Sequence, residues 1–204
     1  GSFTGNIMAQ AQLKTKSNYH HGNLKDVLIE TALNLLETHS PDQISLRRLA
    51  RDIGVSQTAV YSHFKDKTDM MAAIAIDGFQ RQAQFMADAV RDQRDAFLRA
   101  EGLAVAYMEF AFENRALFQV MFSRDIQDLS EHKELALAAG RPYSLFAAAW
   151  TRFNPEQSHR MPFIWSMFHG QTMLMLDPKF RPAISRGLSP QELARRSIDI
   201  YKNS

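Results

Sequence analysis

The chain has 204 residues, with 10 Met, 14 Phe, 5 Tyr, 2 Trp and no Cys, 45% hydrophobic and 23% charged. That is ordinary globular composition, and it sets aside disordered, collagen-like and mucin-like classes. The missing Cys excludes a disulfide framework, thiol catalysis and Cys-ligated zinc or iron–sulfur sites, and fits a reducing compartment. The length allows one large domain or a small one joined to a larger one. The formal net charge is +2, and all of it lies in the first third. Residues 1–67 hold eight Lys and Arg against six Asp and Glu, leaving sixteen of each in the rest. Four of the seven His (His20, His21, His39, His63) lie there too, whereas nine of the ten Met lie beyond Lys67. Two parts with different tasks are expected.

At the N-terminus, Gly1–Ile7 reads as an expression remnant ahead of a start at Met8. Ala9–Ser17 is polar, carries Lys14 and Lys16, and is neither a signal peptide nor a convincing transit peptide. The first helix is expected from Leu24 to Thr38, with Leu24, Val27, Leu28, Ala32, Leu35 and Leu36 at helical spacing. Asn23 can cap it, with Asp26 three residues on. Ser40-Pro41-Asp42 ends it. Ser45 can cap a short second helix that carries Leu46, Leu49, Ala50 and Ile53, and Gly54 stops it. Ser56 caps a third, Gln57–Phe64. Asp66, with Asp69 at the third position, caps a long fourth helix from Lys67 to about Gln93. Further helices are expected at about Asp95–Glu113, Ala116–Phe122, Ser130–Phe153 and Glu156–Leu176. Pro178 and Pro182 mark a loop. Ser189-Pro190-Gln191-Glu192 is a strong start for a last helix to about Tyr201. No strand-like alternation of useful length is present, so the fold class is all-α, with about nine helices. The longest apolar stretch, Met161–Leu176, is broken by Ser166 and by His169–Thr172. It falls short of the roughly 20 mostly apolar residues of a membrane-spanning helix. A soluble, cytoplasmic protein is expected.

A short helix, a four-residue break with Gly and a second short helix make a helix-turn-helix. Ala50 is small where the two helices approach, and Val55, Val60 and Phe64 point inward with Leu46, Leu49 and Ile53. That leaves Gln57, Thr58, Ala59, Tyr61 and His63 on the outer face of the third helix. Gln pairs two-fold with adenine, and Thr or Ala methyls pack on thymine methyls. Helix N-termini aim free amides at phosphates. The basic residues are local to this motif: Arg47, Arg48, Arg51, Lys65 and Lys67 fall within about twenty residues.

The run Ser45–Asp69, SLRRLARDIGVSQTAVYSHFKDKTD, resembles the DNA-binding motif of the TetR family of transcriptional regulators. The matching elements are Leu49-Ala50, Gly54-Val55-Ser56, Tyr61, Phe64 and Lys67. Upstream, Tyr19-His20-His21-Gly22-Asn23-Leu24 resembles the lead-in to helix one of many members, and the match spans about Tyr19 to Met71. The resemblance implies that Tyr61, His63 and Lys67 hold phosphates and that Gln57, Thr58 and Ala59 face bases. It implies that Arg47 reaches a base or a phosphate, and that Ser45 donates to a phosphate as well as capping. Lys14 and Lys16 could serve as an arm in a neighbouring groove. Arg48 reads better as part of a solvated face. His20 and His21 are adjacent, do not face together on a helix and have no third ligand, so no metal is expected; nor is any cofactor.

Beyond Lys67 the chain is rich in Met and Phe. Most of those positions read as core, yet Met and aromatic residues in helical bundles also build adaptable apolar pockets. The resemblance implies one such pocket, governing DNA affinity through the fourth helix and taking a small lipophilic ligand. Trp165-Ser166-Met167-Phe168-His169-Gly170 resembles the WHG-type C-terminal domain of one branch of the family, as does Glu113–Phe122, where Arg115 stands in place of a frequent Pro. Pocket candidates are Met86, Met108, Phe112, Met121, Trp150, Trp165 and His169. His169 is either a polar group in the pocket or a His hydrogen-bonded within the core, and the second is favoured. The helix to Leu176 is apolar around too much of its circumference for one core, and the last helix is amphipathic. Two such helices from each of two chains could form a four-helix dimer interface, as the resemblance also implies.

The sequence thus points to three segments: a remnant and basic arm (1–18), a helix-turn-helix domain (19–66), and a helical ligand-binding and dimerisation domain (67–204). Together they point to a homodimeric, ligand-responsive repressor of a near-palindromic double-stranded DNA operator. Two rivals stand beside it. One is a DNA-binding or DNA-organising protein without a ligand. The other is an enzyme built on His132, His159 and His169 with Asp125, Asp128 or Glu131, for which no spacing sets up a metal site or an acid–base pair.

Overall fold

A computed structural model describes residues 24–124, 126 and 132–202. Ten α-helices and two 3-10 turns follow one another, and no strand is present among the described residues. Asn23, Lys14, Lys16, His20, His21, Asp125, Asp128 and Glu131 lie outside them.

The N-terminal helices are α1 (Leu24–Leu36), α2 (Leu46–Ile53) and α3 (Gln57–Tyr61), with a 3-10 turn over Pro41–Gln43 between the first two. Local chemistry sets their ends. The Ser45 hydroxyl accepts from the Arg48 amide at 3.2 Å and starts α2, and Ser56 does the same for α3 through the Ala59 amide at 3.1 Å. Such caps satisfy amides that have no partner inside the helix. Gly54 closes α2 at φ +80°, in the left-handed region, so the Gly54 and Val55 amides both turn back to the Ala50 carbonyl at 2.9 Å. A side chain at 54 would be strained there. The third helix is shorter than expected. After Tyr61 the Ser62 hydroxyl donates to the Ala59 carbonyl at 2.6 Å, and the chain turns into Phe64.

The long helix α4 (Lys67–Ala89) leaves this head. Asp66 accepts from the Asp69 amide at 2.9 Å, and Asp69 accepts from the Lys65 amide at 3.0 Å. It ends four residues before Gln93, where Val90 leaves helical geometry at φ −120° and ψ 17° and its carbonyl accepts from the Arg99 guanidinium at 2.6 Å. Then come α5 (Ala96–Glu113), α6 (Arg115–Met121) and α7 (Lys133–Phe153). Asn114 alone joins α5 to α6, its side chain folded back on the Phe110 carbonyl at 3.0 Å.

Glu156–Leu176 is not one helix. A 3-10 turn over Pro155–Arg160 leads into α8 (Met161–Leu176). Pro162 sits in the first turn of α8, where its missing amide does no harm, but it cannot continue a ladder from the preceding turn. Pro182 likewise opens a short α9 (Arg181–Ser185) inside the expected loop. The last helix, α10 (Pro190–Lys202), starts on a reciprocal box: Ser189 accepts from the Glu192 amide at 3.1 Å, and the Glu192 carboxylate accepts from the Ser189 amide at 2.8 Å.

The helix α4 is the spine. It packs on α1 at the head and on α5, α6 and α7 beyond it. Leu28, Leu49, Val60, Phe64 and Met70 are buried where the head meets it, and Met86, Tyr107, Phe118, Phe146 and Trp150 are buried further on. Each such side chain contributes about 1.5–3 kcal/mol of apolar burial. Two contacts tie α4 to its neighbours. Gly78 lets Met121 and Leu117 of α6 come within 3.0 Å of where a Cβ would stand. Arg81 pairs with Asp77 of its own helix and reaches Glu30 of α1.

Candidate nucleic-acid interface

The head presents its polar side chains on a fixed base. Leu46, Leu49, Ala50, Val60 and Phe64 are buried, whereas Ile53 and Val55 are only partly so. Gln57, Thr58, Tyr61 and His63 are exposed, Ala59 is half-buried, and Tyr61 exposes 53% of its surface despite its ring. Arg47 is exposed at the first turn of α2. The Ser45 hydroxyl accepts from the Arg48 amide, which leaves its own proton to donate. A shallow groove runs past Ser45, Arg47, Arg51, Val55 and Gln57. The structure thus brings Ser45, Arg47 and Gln57 to one groove and sets Thr58 and Tyr61 further along α3, with His63 in the turn beyond it.

Two basic residues behave otherwise than the sequence suggests. Arg48 is no plain solvated side chain. It donates to the Gln43 carbonyl at 3.3 Å, meets Asp52 at 3.4 Å and His39 Nε2 at 3.0 Å, and so ties α2 to the turn after α1. Lys67 stands at the start of α4 with its ammonium donating to the Pro41 carbonyl at 3.3 Å. Its reach toward a phosphate requires that bond to be given up.

The pocket candidates disperse. Met86 and Trp165 line one narrow crevice with Leu103, Tyr107, Phe146 and Phe168. His169 borders it, its Nδ1 2.9 Å from the Tyr107 hydroxyl. Burial holds the His169 imidazole below its ordinary pKa and pushes the Tyr107 phenol up, so both are neutral near pH 7. Met121 instead packs on Gly78, Met108 is core, and Trp150 faces Phe153 and Tyr201. Phe112 lies under the guanidinium groups of Arg115 and Arg181, at 5.1 and 5.8 Å. Tyr107 and Gln82 were not among the candidates. Gln82 is readable in retrospect, since Gly78, Gln82 and Met86 recur at four-residue spacing and share an inward face.

Among the described residues no group of His, Asp and Glu is placed to hold a metal ion. His132 stands at the start of α7 and His159 in the 3-10 turn before α8, while His169 is spent on Tyr107. Also among the described residues, no helix is long and apolar enough to cross a membrane.

The family of bacterial regulatory proteins called the tetR family matches residues 28–74, and a tetracyclin repressor-like C-terminal domain matches residues 100–201. The chain belongs to the TetR family. Its family and fold are those of regulators and not of enzymes. Among related sequences, the nucleoid occlusion factor SlmA of Shewanella woodyi is 25% identical over 60% of this chain and 61% of its own length. The class D tetracycline repressor protein of Escherichia coli is 28% identical over 39% of this chain and 37% of its own. The chain therefore spans less than two thirds of these relatives. A Rhodococcus sp. RHA1 protein of unknown function superposes with a TM-score of 0.76 at 27% identity, covering 92% of this chain and 98% of that one. The TetR-family regulator PfmR of Thermus thermophilus shares the fold at 18% identity, with a TM-score of 0.59 over 87% of this chain and 97% of its own.

Proposed function

We propose that this TetR-family chain is a dimeric repressor that binds a near-palindromic DNA operator and releases it when a small molecule fills its C-terminal helices. The observation that carries the DNA reading is the exposed row Gln57, Thr58 and Tyr61 on a helix whose opposite face is buried, with exposed His63 in the turn after it. Gln57, Thr58 and Ala59 read base edges, Tyr61, His63 and Lys67 hold phosphates, Ser45 donates to one, and Arg47 reaches a base or a phosphate. The reading head takes in residues 19–66, the regulatory helices residues 67–204, and the protein works in the cytoplasm.

Dimerisation through α8 and α10 is supported by apolar surface that the chain leaves open. Phe163 exposes 71% and Ile200 67%, and Met173 and Leu174 expose 40% and 37%. Gly170 has nothing within 4 Å of where its Cβ would stand, so the close backbone approach it permits is left to a second copy. Two-fold symmetry then sets two reading helices about one DNA turn apart, ~34 Å or a multiple.

For control, α4 runs from the head at Lys67 into the bundle. Its contacts with α6 at Gly78 and with α1 through Arg81 and Glu30 give a ligand two handles on the head. A ligand works only through unequal affinity for the two states, and DNA and ligand then weaken each other reciprocally. A DNA-organising protein without a ligand is the second reading. The crevice too narrow for water and the kinship with a nucleoid occlusion factor favour it. Selection of bound sequences from random DNA tests the DNA reading. A palindrome with fixed half-site spacing is expected, and recovery of no enriched sequence would sink the operator.

A further inference from the structure

On the inward face of α4, Gly78 lies against Met121 and Leu117, and Met86 against Tyr107, Trp165 and Phe168. Gln82, one turn from each, is fully buried, and neither its carboxamide oxygen nor its nitrogen has a hydrogen-bond partner. An amide removed from water and left unpaired lowers the stability of the free protein, and an apolar side chain of the same length would avoid that. The chain thus keeps, buried on the inward face of α4, a two-sided polar group that its own side chains do not satisfy.

The crevice begins one turn along α4 from Gln82, at Met86, and its lining restricts what could enter beside the amide. Tyr107 meets Trp165 edge-on at 5.0 Å and Phe118 at 5.8 Å, and Phe122 lies 4.4 Å from His169. The crevice lining holds no Asp, Glu, Lys or Arg, and as it stands the crevice is too narrow for water. A charged ligand would lose its hydration there with no counter-charge. A flat ring gains offset or edge contacts with such a cluster. Met86, one turn beyond Gln82 on α4, and Met121 of α6, set against Gly78 one turn before it, have the flexible side chains that let a core widen.

We propose that the crevice opens beside Gln82 to take a small, planar, uncharged aromatic molecule bearing a hydrogen-bond donor and acceptor side by side, as a lactam does. The Gln82 carboxamide, with a carbonyl and an NH2 on one edge, pairs with both. This assignment rests on the reading that the C-terminal helices bind a small molecule, and it names the ligand class and its polar anchor.

The test uses the full chain, 2-quinolone as the lactam probe and quinoline as a ring of similar size without the paired donor. Binding is followed by tryptophan fluorescence and melting temperature in wild type, Gln82→Leu and Gln82→Met. Saturable binding of 2-quinolone to wild type is expected, at least tenfold weaker in either variant. Quinoline should bind all three within about threefold, and the unliganded variants should melt higher than wild type. Two variants guard against one that fails to fold. Equal 2-quinolone affinity in wild type and a folded variant, or no binding to wild type, overturns the assignment while leaving operator binding untouched. If 2-quinolone binds through Gln82 but its affinity is the same with and without operator DNA, the regulatory reading falls and the site stands.

Discussion

The head and the regulatory helices use side chains in opposite ways. In the head, α2, α3 and the start of α4 are each fixed by a side-chain cap from Ser45, Ser56 or Asp66. Its polar working groups stand in water. Beyond α5, only α10 keeps a side-chain box, at Ser189, while the joints at Asn114, His132, Arg160 and Phe180 have no side-chain cap; there order comes from aromatic packing around Tyr107, Phe118, Trp150 and Trp165. There the polar groups of interest, Gln82 and Tyr107, are inside, with half-buried His169 bonded to Tyr107. The lesson is that a surface which reads a rigid polymer can be built from local rules. A site which must close around a small molecule is built from contacts distant in sequence.

The sharpest way to break this contrast is to exchange their sensitivities. Phe118→Ala should cost about 3–5 kcal/mol of stability by denaturant unfolding, because its ring is fully buried and faces both Tyr107 and Phe122. Tyr61→Ala should change stability by no more than about 0.5 kcal/mol. If the two variants unfold alike, the division between packing and reading is wrong.

Next in size are effects on DNA. Gln57→Ala should shift preference at one base pair by about 1–3 kcal/mol, whereas Tyr61→Ala should weaken all operators alike and lower the salt slope by about 1. Equal losses on every operator variant for Gln57→Ala would remove its base-reading role.

A smaller effect belongs to the caps. Ser56→Ala should cost about 1 kcal/mol; the melting temperature reads it, and an unchanged value would show that packing alone holds α3.

The smallest concerns His169. Its folded pKa lies below the ordinary value because of burial, so the unfolded chain binds the extra proton more readily. Stability from this residue is complete above about pH 6.5, its unfolded value, and is lost as pH falls through that value toward the folded one. A melting series from pH 8 to pH 5 should therefore fall more steeply for wild type than for His169→Asn. Parallel curves would contradict a neutral, half-buried His169.

The helix-turn-helix was legible because its signals are short-range: Ser45, Gly54, Ser56 and Asp66 act within four residues of themselves. The expected end of α4 at Gln93 and the single helix over Glu156–Leu176 failed for the complementary reason. Arg99 reaches back to Val90 across a turn, and Pro162 begins a helix where apolar spacing suggests continuity. Met and aromatic residues marked a core without saying which of them share a crevice, since Met86, Met121 and Trp150 look alike in sequence and face three different neighbourhoods. Arg48 shows the converse, a charge at a helix surface whose partners, His39 and Gln43, follow from the preceding turn.

The Arg81–Glu30 pair bears on how such a protein should be measured. Both side chains are partly open to solvent, so added salt screens their attraction as it screens a phosphate contact. Raising ionic strength therefore loosens the hinge between α1 and α4 at the same time as it displaces protein from DNA. A plot of log affinity against log salt then counts one ionic contact that never touches the nucleic acid.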